Sequence, residues 1–400
     1  MKFGLSTERN TNPDQRVVLP PNAVIKALQT FPEAEIVVEH SETRAFSDEE
    51  YQNSGISVAP DLTDCDVILG IKEVPVANLI PNKSYLFFSH TIKKQQHNRE
   101  MLRAILDKNI TLYDYECVVD AENNRLIGFG YYAGIVGAYN AIRAFGLKFE
   151  LFKLPKPESL KGKEQLIASL KRITIPPIKF VITGHGRVAS GVKEILKAIK
   201  VKEVTAENYL TKKYAQPVFT QLNALQYNTR KDGQTKDTAD FYQNPEAYES
   251  SFEPFTKVSD IYITAHFHDP KAPKILTQEM LNAKDSNLRV VADISCDLHH
   301  AIDSTIRTST FEDPFYGYLP ANNTEADLFH PAAIVVMAIN NLPSALPIEA
   351  SSGFAEQFLE YVMPAFFNND KDGILQRAKI AENGKLTERF SYLQDYVDGN

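Results

Sequence analysis

Tryptophan is absent, and only three cysteines (Cys65, Cys117 and Cys296) are spread over 400 residues. The first absence excludes nothing by itself. The second excludes a disulfide framework, because the thiols are odd in number and far apart, and it fits a reducing compartment. No CxxC pair occurs, so a common zinc-ligand spacing is missing. Lys and Arg number 43 against 51 Asp and Glu, a formal charge of −8. That balance lacks the basic face that phosphate backbones require, which argues against a nucleic-acid partner. Nowhere do about 18 apolar residues run together. The opening "MKFGLSTERN" has no apolar signal-peptide core. The expectation is a soluble, cytoplasmic protein with no membrane partner.

What is present reads as globular: 43% hydrophobic and 24% charged residues. The length points to two domains rather than one core. Short β-branched runs alternate with helical patterns. Strands are expected at Glu35–Glu39, Asp66–Ile71, Tyr85–Phe88, Ile110–Tyr113, Ile178–Thr183, Lys202–Thr205, Asp260–Ala265 and Arg289–Asp293. Helices are expected near 21–31, 97–108, 131–147, 188–200, 276–284, 331–345 and 351–364. This alternation signals βαβ units, hence an α/β protein with parallel sheets flanked by helices. Pro- and Lys-rich stretches mark a boundary near 150–177. The polar segment 212–257 reads as an excursion from the second domain, too long for a plain connection.

The most specific local signal is "IKFVITGHGRVASGVKEILKAIK" (178–200). A buried strand runs into Gly184-His185-Gly186-Arg187-Val188-Ala189, and an amphipathic helix follows. This is the dinucleotide fingerprint G-x-G-x-x-G/A in its strand–turn–helix context. Gly184 permits the tight turn, Gly186 lets backbone approach a pyrophosphate, and Ala189 keeps the helix near the sheet. The helix N-terminus, at Arg187 and Val188, offers N–H groups to phosphate. The fingerprint expects an acid about 20 residues on, for the ribose hydroxyls. Glu207 stands there, as a ribose ligand or as an ordinary surface glutamate. No arginine immediately follows it, which tilts the reading to NAD over NADP.

Two other apolar runs end unexpectedly. "VILGIKEVP" (67–75) stops at Lys72, and "YLFFSHTIKKQ" (85–95) stops at His90. In open α/β sheets, ligands lie beyond the carboxyl ends of the strands, so both side chains belong to a crevice. Taken alone, a lysine there is an ordinary solvated strand end and the histidine an ordinary half-buried one. The pairs "AHFHDP" (His266, His268) and "LHHA" (His299, His300) have zinc-like spacing, but the first follows a strand at the nucleotide site, and no metal is assigned. His185 reads as a spacer.

Order along the chain adds a resemblance. "STERNTNPDQRVVLPP" (6–21), "GIKEVP" and "FFSHTIKKQ" resemble motifs of the alanine dehydrogenase and pyridine nucleotide transhydrogenase superfamily. "TLYDYE" (111–116), "RLIGFGYYAGIVGA" (125–138), "VVADISCD" (290–297) and "INNLPSALPIEAS" (339–351) are similar to its saccharopine dehydrogenase branch (NAD, L-lysine-forming). The resemblance extends over most of the chain and is weakest in 152–177 and 212–257. Ala189 in place of a third glycine and "DLHHAID" depart from the pattern, and the latter puts the exact substrate in doubt.

The resemblance implies two Rossmann-like domains with an inter-domain cleft. Residues 1–135 and 331–400 would form a discontinuous substrate domain, and 136–330 the NAD domain. It implies an acid/base pair, Lys72 and His90, tuned by Glu73 and Glu116. Arg16 becomes the carboxylate clamp, with Lys94 and Arg125 as further anion contacts. Asp297 would lie near the nicotinamide, whereas Asp293 could be a structural strand-end cap. The implied function is NAD-dependent oxidation of the CH–NH bond of a small amino-acid substrate, saccharopine first. The alternatives are an alanine-type deaminase on the same scaffold and a non-catalytic nucleotide-binding protein. The sequence does not set the oligomeric state.

Overall fold

In the computed structural model, residues 1–9, 14–234 and 236–399 are described. They fall into two units: Met1–Phe129 with Pro347–Asn400, and Gly130–Leu346. The crossings thus lie at 129/130 and 346/347, against the expected 135/136 and 330/331.

The first unit begins with β1 (Lys2–Leu5), β2 (Glu35–Glu39), β3 (Ser57–Ala59), β4 (Val67–Leu69), β5 (Ser84–Phe87) and β6 (Thr111–Asp114). These strands are parallel in the order β6-β5-β4-β1-β2-β3. Val67, Ile68 and Leu69 are all buried, as are Tyr85, Leu86 and Phe87. Burial on both faces explains why these strands read as apolar runs rather than alternating patterns.

The second unit holds β7 (Lys179–Thr183), β8 (Lys202–Glu203), β9 (Val218–Leu222), a separate hairpin of β10 (Asn228–Arg230) and β11 (Tyr248–Ser250), then β12 (Ile261–Thr264), β13 (Val290–Asp293), β14 (Tyr316–Leu319), β15 (Thr324–Ala326) and β16 (Ile334–Met337). Its main sheet has eight strands in the order β15-β14-β16-β13-β12-β7-β9-β8, parallel from β16 to β8. The chain then returns to the first unit. There β17 (Lys379–Glu382) and β18 (Lys385–Leu386) add antiparallel strands beyond β6, making eight.

Two expectations need correction. The segment 331–345 carries β16 and a short 3-10 turn, Leu342–Ala345, instead of a crossing helix. All four residues of β16 are buried, and Ile-Val-Val favours the pleated conformation. The crossing passes to the helix Pro347–Gln357. The stretch 212–257 is not a loose excursion either. It supplies β9 and the hairpin, and it buries Tyr227, Phe241, Tyr248, Phe252 and Phe255 in a common core with β12 and β13 residues.

In the second unit the helices Gly130–Lys148 and Arg187–Ala198 pack backbone to backbone. A Cβ on Gly134 would sit 2.0 Å from the Val188 carbonyl oxygen, and one on Gly191 would sit 2.1 Å from that of Tyr131. Only glycine allows this approach. It seats the helix that follows the glycine loop against its neighbour. Among the described residues, no helix is long and apolar enough to cross a membrane.

Candidate active site

In the first unit the chain winds from β1 outward through β2 and β3, then from β4 outward through β5 and β6 on the other side. The winding direction reverses between β1 and β4. Such a switch point leaves a crevice past the carboxyl ends of the strands, the usual ligand position in open α/β sheets. Glu8 stands three residues past β1, Lys72 three past β4, and His90 three past β5.

Lys72 is partly buried. Burial, and then the Arg16 guanidinium, pull its ammonium below the ordinary lysine value. Among the described residues no carboxylate lies within ion-pair distance of its Nζ. The loop that presents it is fixed from β1: Glu8 Oε1 accepts the Ile71 N–H at 2.7 Å and Oε2 accepts the Lys72 N–H at 2.9 Å. Burial raises the Glu8 carboxyl to about 8 despite these donors.

His90 has φ +50°, a left-handed backbone that a residue with a Cβ adopts only at a cost. Buried Asp114 holds that turn, since its carboxylate accepts the Ser89 N–H at 3.1 Å, the Ser89 hydroxyl, and the Glu116 N–H at 2.7 Å. The Ser89 and Thr91 hydroxyls are 2.7 Å apart. The Asp114 carboxyl is raised by burial and by Glu116. The His90 ring stacks on Phe88, and its Nδ1 hydrogen-bonds Glu73. Burial works to raise the Glu73 carboxyl, but the bond and charge of His90 outweigh it and hold it low. An ionised carboxylate only accepts, so Nδ1 carries the hydrogen and Nε2 is left as the nitrogen that can take a proton.

Arg16 is buried. Its Nε and Nη2 meet Asp14 at 2.8 and 2.5 Å, and the guanidinium lies over Phe129 at 4.1 Å. The expected carboxylate clamp thus already holds a carboxylate along one edge. Arg125 lies 3.7 Å from Glu116 and over Phe88. Lys94 is exposed, 5.8 Å above the Tyr392 ring, and it is Lys93 that reaches Glu116, at 3.4 Å. Among the described residues, Glu116 Oε2 is buried without a hydrogen-bond partner.

The second unit has its own switch point, between β7 and β12. Gly184 directly follows β7, with φ +102°, and a Cβ on it would lie 2.3 Å from the Ala265 carbonyl oxygen past β12. Gly186 is different. Its φ of −82° suits any residue, and a Cβ there would meet nothing within 4 Å. The fold itself does not require this glycine, so the open space it faces suits a ligand. Arg187 starts the helix, among the described residues no side chain caps its N-terminus, and Ala189 is fully buried. An uncapped helix N-terminus beside a glycine turn fits a pyrophosphate.

Glu207 is not beside this loop in the sheet. The strand preceding it, β8, is at the sheet edge, and β9 lies between β8 and β7. Glu207 is exposed in the first turn of the helix Ala206–Thr211. The neighbour of β7 carries Gln221, whose amide donates to the Gly184 carbonyl at 2.8 Å. Counting residues finds the next strand in sequence, and here that is not the next strand in space. Asp293 is buried and binds Thr264, Ser295 and Thr305, the strand-end cap reading. Asp297 is exposed in the following loop. His266, His268 and His300 come together, with rings 6.2 and 4.6 Å apart. Burial pushes His266 down to about 3. Among the described residues no group of three His, Cys, Asp or Glu is arranged to hold a metal.

Sequence reasoning passed over Glu8, Asp14, Lys93 and Asp114. Glu8 and Asp114 carried a usable signal, a carboxylate at or just past the end of a buried strand.

Comparison with known proteins agrees with this architecture. Residues 4–136 match the alanine dehydrogenase/PNT N-terminal domain, and 170–389 match the alanine dehydrogenase/PNT C-terminal domain. The chain is 28% identical to alpha-aminoadipic semialdehyde synthase of Rattus norvegicus over 90% of its own length and 44% of that protein. It therefore spans less than half of that relative. It is 27% identical to saccharopine dehydrogenase [NAD(+), L-lysine-forming] of Neurospora crassa, covering 80% of each. A solved L-alanine dehydrogenase shares the fold, with TM-score 0.65 at 15% identity over 100% of this chain and 99% of that one. With the two domain models matched in order over most of the chain, the chain belongs to the alanine dehydrogenase/PNT family.

Proposed function

We propose that this chain is an NAD-dependent oxidoreductase acting on the CH–NH bond of an amino-acid derivative, with saccharopine as substrate and lysine and 2-oxoglutarate as products. The observation that carries this reading is the pair at the first switch point. Lys72 has a lowered pKa, and His90 has its tautomer set by Glu73. A module that only binds a nucleotide needs no such proton carriers. The printed name of the Neurospora relative gives the same cofactor and product.

Gly184, Gly186 and the N-terminal N–H groups at Arg187, Val188 and Ala189 would hold the pyrophosphate. When bound, the nicotinamide supplies a hydride acceptor. The rest falls to this chain's side chains. A secondary amine is protonated near neutral pH and must lose that proton before hydride leaves its α-carbon. His90 Nε2 or neutral Lys72 takes it. Water then adds to the resulting imine, losing a proton, and the C–N bond breaks as the departing lysine nitrogen gains one. Overall, saccharopine, NAD and water give lysine, 2-oxoglutarate, NADH and a proton. Arg16 is our choice for the α-carboxylate, while Arg125 and Lys94, joined by Lys93, serve the remaining carboxylates. The absence of a disulfide framework suits a cytoplasmic site of action.

The test is a substrate panel. Pure protein with NADH and 2-oxoglutarate should oxidise NADH on adding lysine. Oxidation with pyruvate and ammonia alone would replace this reading with the alanine-type one. No oxidation with any pair, despite NADH binding, would favour the non-catalytic reading.

A further inference from the structure

Glu8 is the carboxylate that the proposed chemistry leaves unused, yet it stands at the centre of the first switch point. We propose that Glu8 is a positioning residue that fixes the loop carrying Lys72, so that the lysine nitrogen meets the substrate in one place. This rests on the reading of Lys72 as a proton carrier.

The geometry is specific. Both carboxylate oxygens are used, one on the Ile71 N–H and one on the Lys72 N–H, across more than sixty residues of sequence. The two strands so joined, β1 and β4, are those at which the winding reverses. Glu8 therefore closes the ends of the pair that forms the crevice. The charged groups around it are Asp14, Arg16 and Lys72, so the same carboxyl group lies near the buried Arg16–Asp14 pair. A carboxyl group carries two oxygens on one rigid plane, so it fixes two successive N–H groups at once, which a single hydroxyl cannot do. Asp114 does the corresponding work for the His90 turn.

Glu8→Gln tests this with little change of volume. The amide keeps one acceptor oxygen and turns a donor on the second N–H, so the loop loses half its fixing while the unit keeps its packing. A displacement on the order of 1 Å in a catalytic group can cost about 100-fold. We expect kcat to fall at least about tenfold, with KM for NADH nearly unchanged and a single cooperative unfolding transition retained. In a Lys72→Met background, the same Glu8→Gln change should cost nothing further, because the group it positions is gone. Lys72 should also show altered reactivity towards an amine-modifying reagent, read by peptide mass spectrometry without reference to turnover. Wild-type kcat and Lys72 reactivity in Glu8→Gln, with Lys72→Met impaired, would overturn the positioning role alone. An equal kcat loss from Glu8→Gln with and without Lys72 would overturn it too. Near-wild-type kcat in Lys72→Met would instead overturn the proton-carrier reading beneath it.

Discussion

The two units solve the same topological problem with opposite materials. Each is an eight-stranded sheet with a switch point near its middle, leaving a crevice past the strand ends. In the first unit that crevice is built from ionisable groups: Glu8, Arg16, Lys72 and the His90–Glu73 pair. In the second it is built from room: Gly184 closing on the Ala265 carbonyl, and Gly186 facing open space above an uncapped helix. Charge suits a site that must move protons. Backbone N–H groups and empty volume suit a site that must hold a phosphate-bearing ligand without reacting with it. The comparison implies that the first site should be broken by removing charge and the second by adding volume.

The largest effect is expected from the first site. Lys72→Met and His90→Gln should each lower kcat about 100-fold or more, the scale of a general acid/base contribution. The double variant should fall short of the product of the two losses, because both groups serve one sequence of protons. Steady-state kinetics beside thermal unfolding checks this, and turnover preserved in either folded variant contradicts it. In the second unit, Gly134→Ala should destabilise by roughly 1–3 kcal/mol, because its Cβ would meet backbone and not a side chain that can swing away. Chemical denaturation of the variant measures it. Gly186→Val should leave unfolding unchanged and weaken NADH binding about tenfold or more, the size of one lost charge-assisted contact. Calorimetric titration with NADH separates the outcomes, and unchanged affinity would mean a plain turn.

The smallest effect is a difference in pH dependence. Between the ordinary glutamate value and about 8, the folded chain keeps a proton on Glu8 that the unfolded chain has lost. The folded state then binds more protons, so stability falls as pH rises through that window. His266 acts in the opposite sense. It stays neutral down to about 3, whereas in the unfolded chain it is protonated below about 6.5. Stability is therefore lost as pH falls through that range. Melting curves should flatten between the ordinary glutamate value and about 8 in Glu8→Gln, and between about 3 and 6.5 in His266→Gln.

How much of this was legible follows the same division. The glycine loop is a local pattern, and its strand, turn and helix stand where the spacing puts them. Lys72 and His90 could be picked out because each ends a buried run. What the sequence hid was everything that depends on which strands are neighbours. Glu8 acquires meaning only once β1 lies beside β4, and β1 is four residues long. Glu207 loses its expected place because β9 intervenes between β8 and β7. The segment 331–345 misled because a strand buried on both faces and a buried helix show the same apolar run. Register with distant strands decides between them.

The central claim is that hydride moves between a nicotinamide and the α-carbon of an amino-acid nitrogen. The most direct measurement supplies NADH carrying deuterium at the transferable position, with lysine and 2-oxoglutarate, and analyses the product by mass spectrometry. The account predicts saccharopine bearing one deuterium at the carbon derived from the 2-oxo group, formed in step with NADH oxidation. NADH binding without any labelled amino-acid product, from this or any other 2-oxo acid, would contradict it.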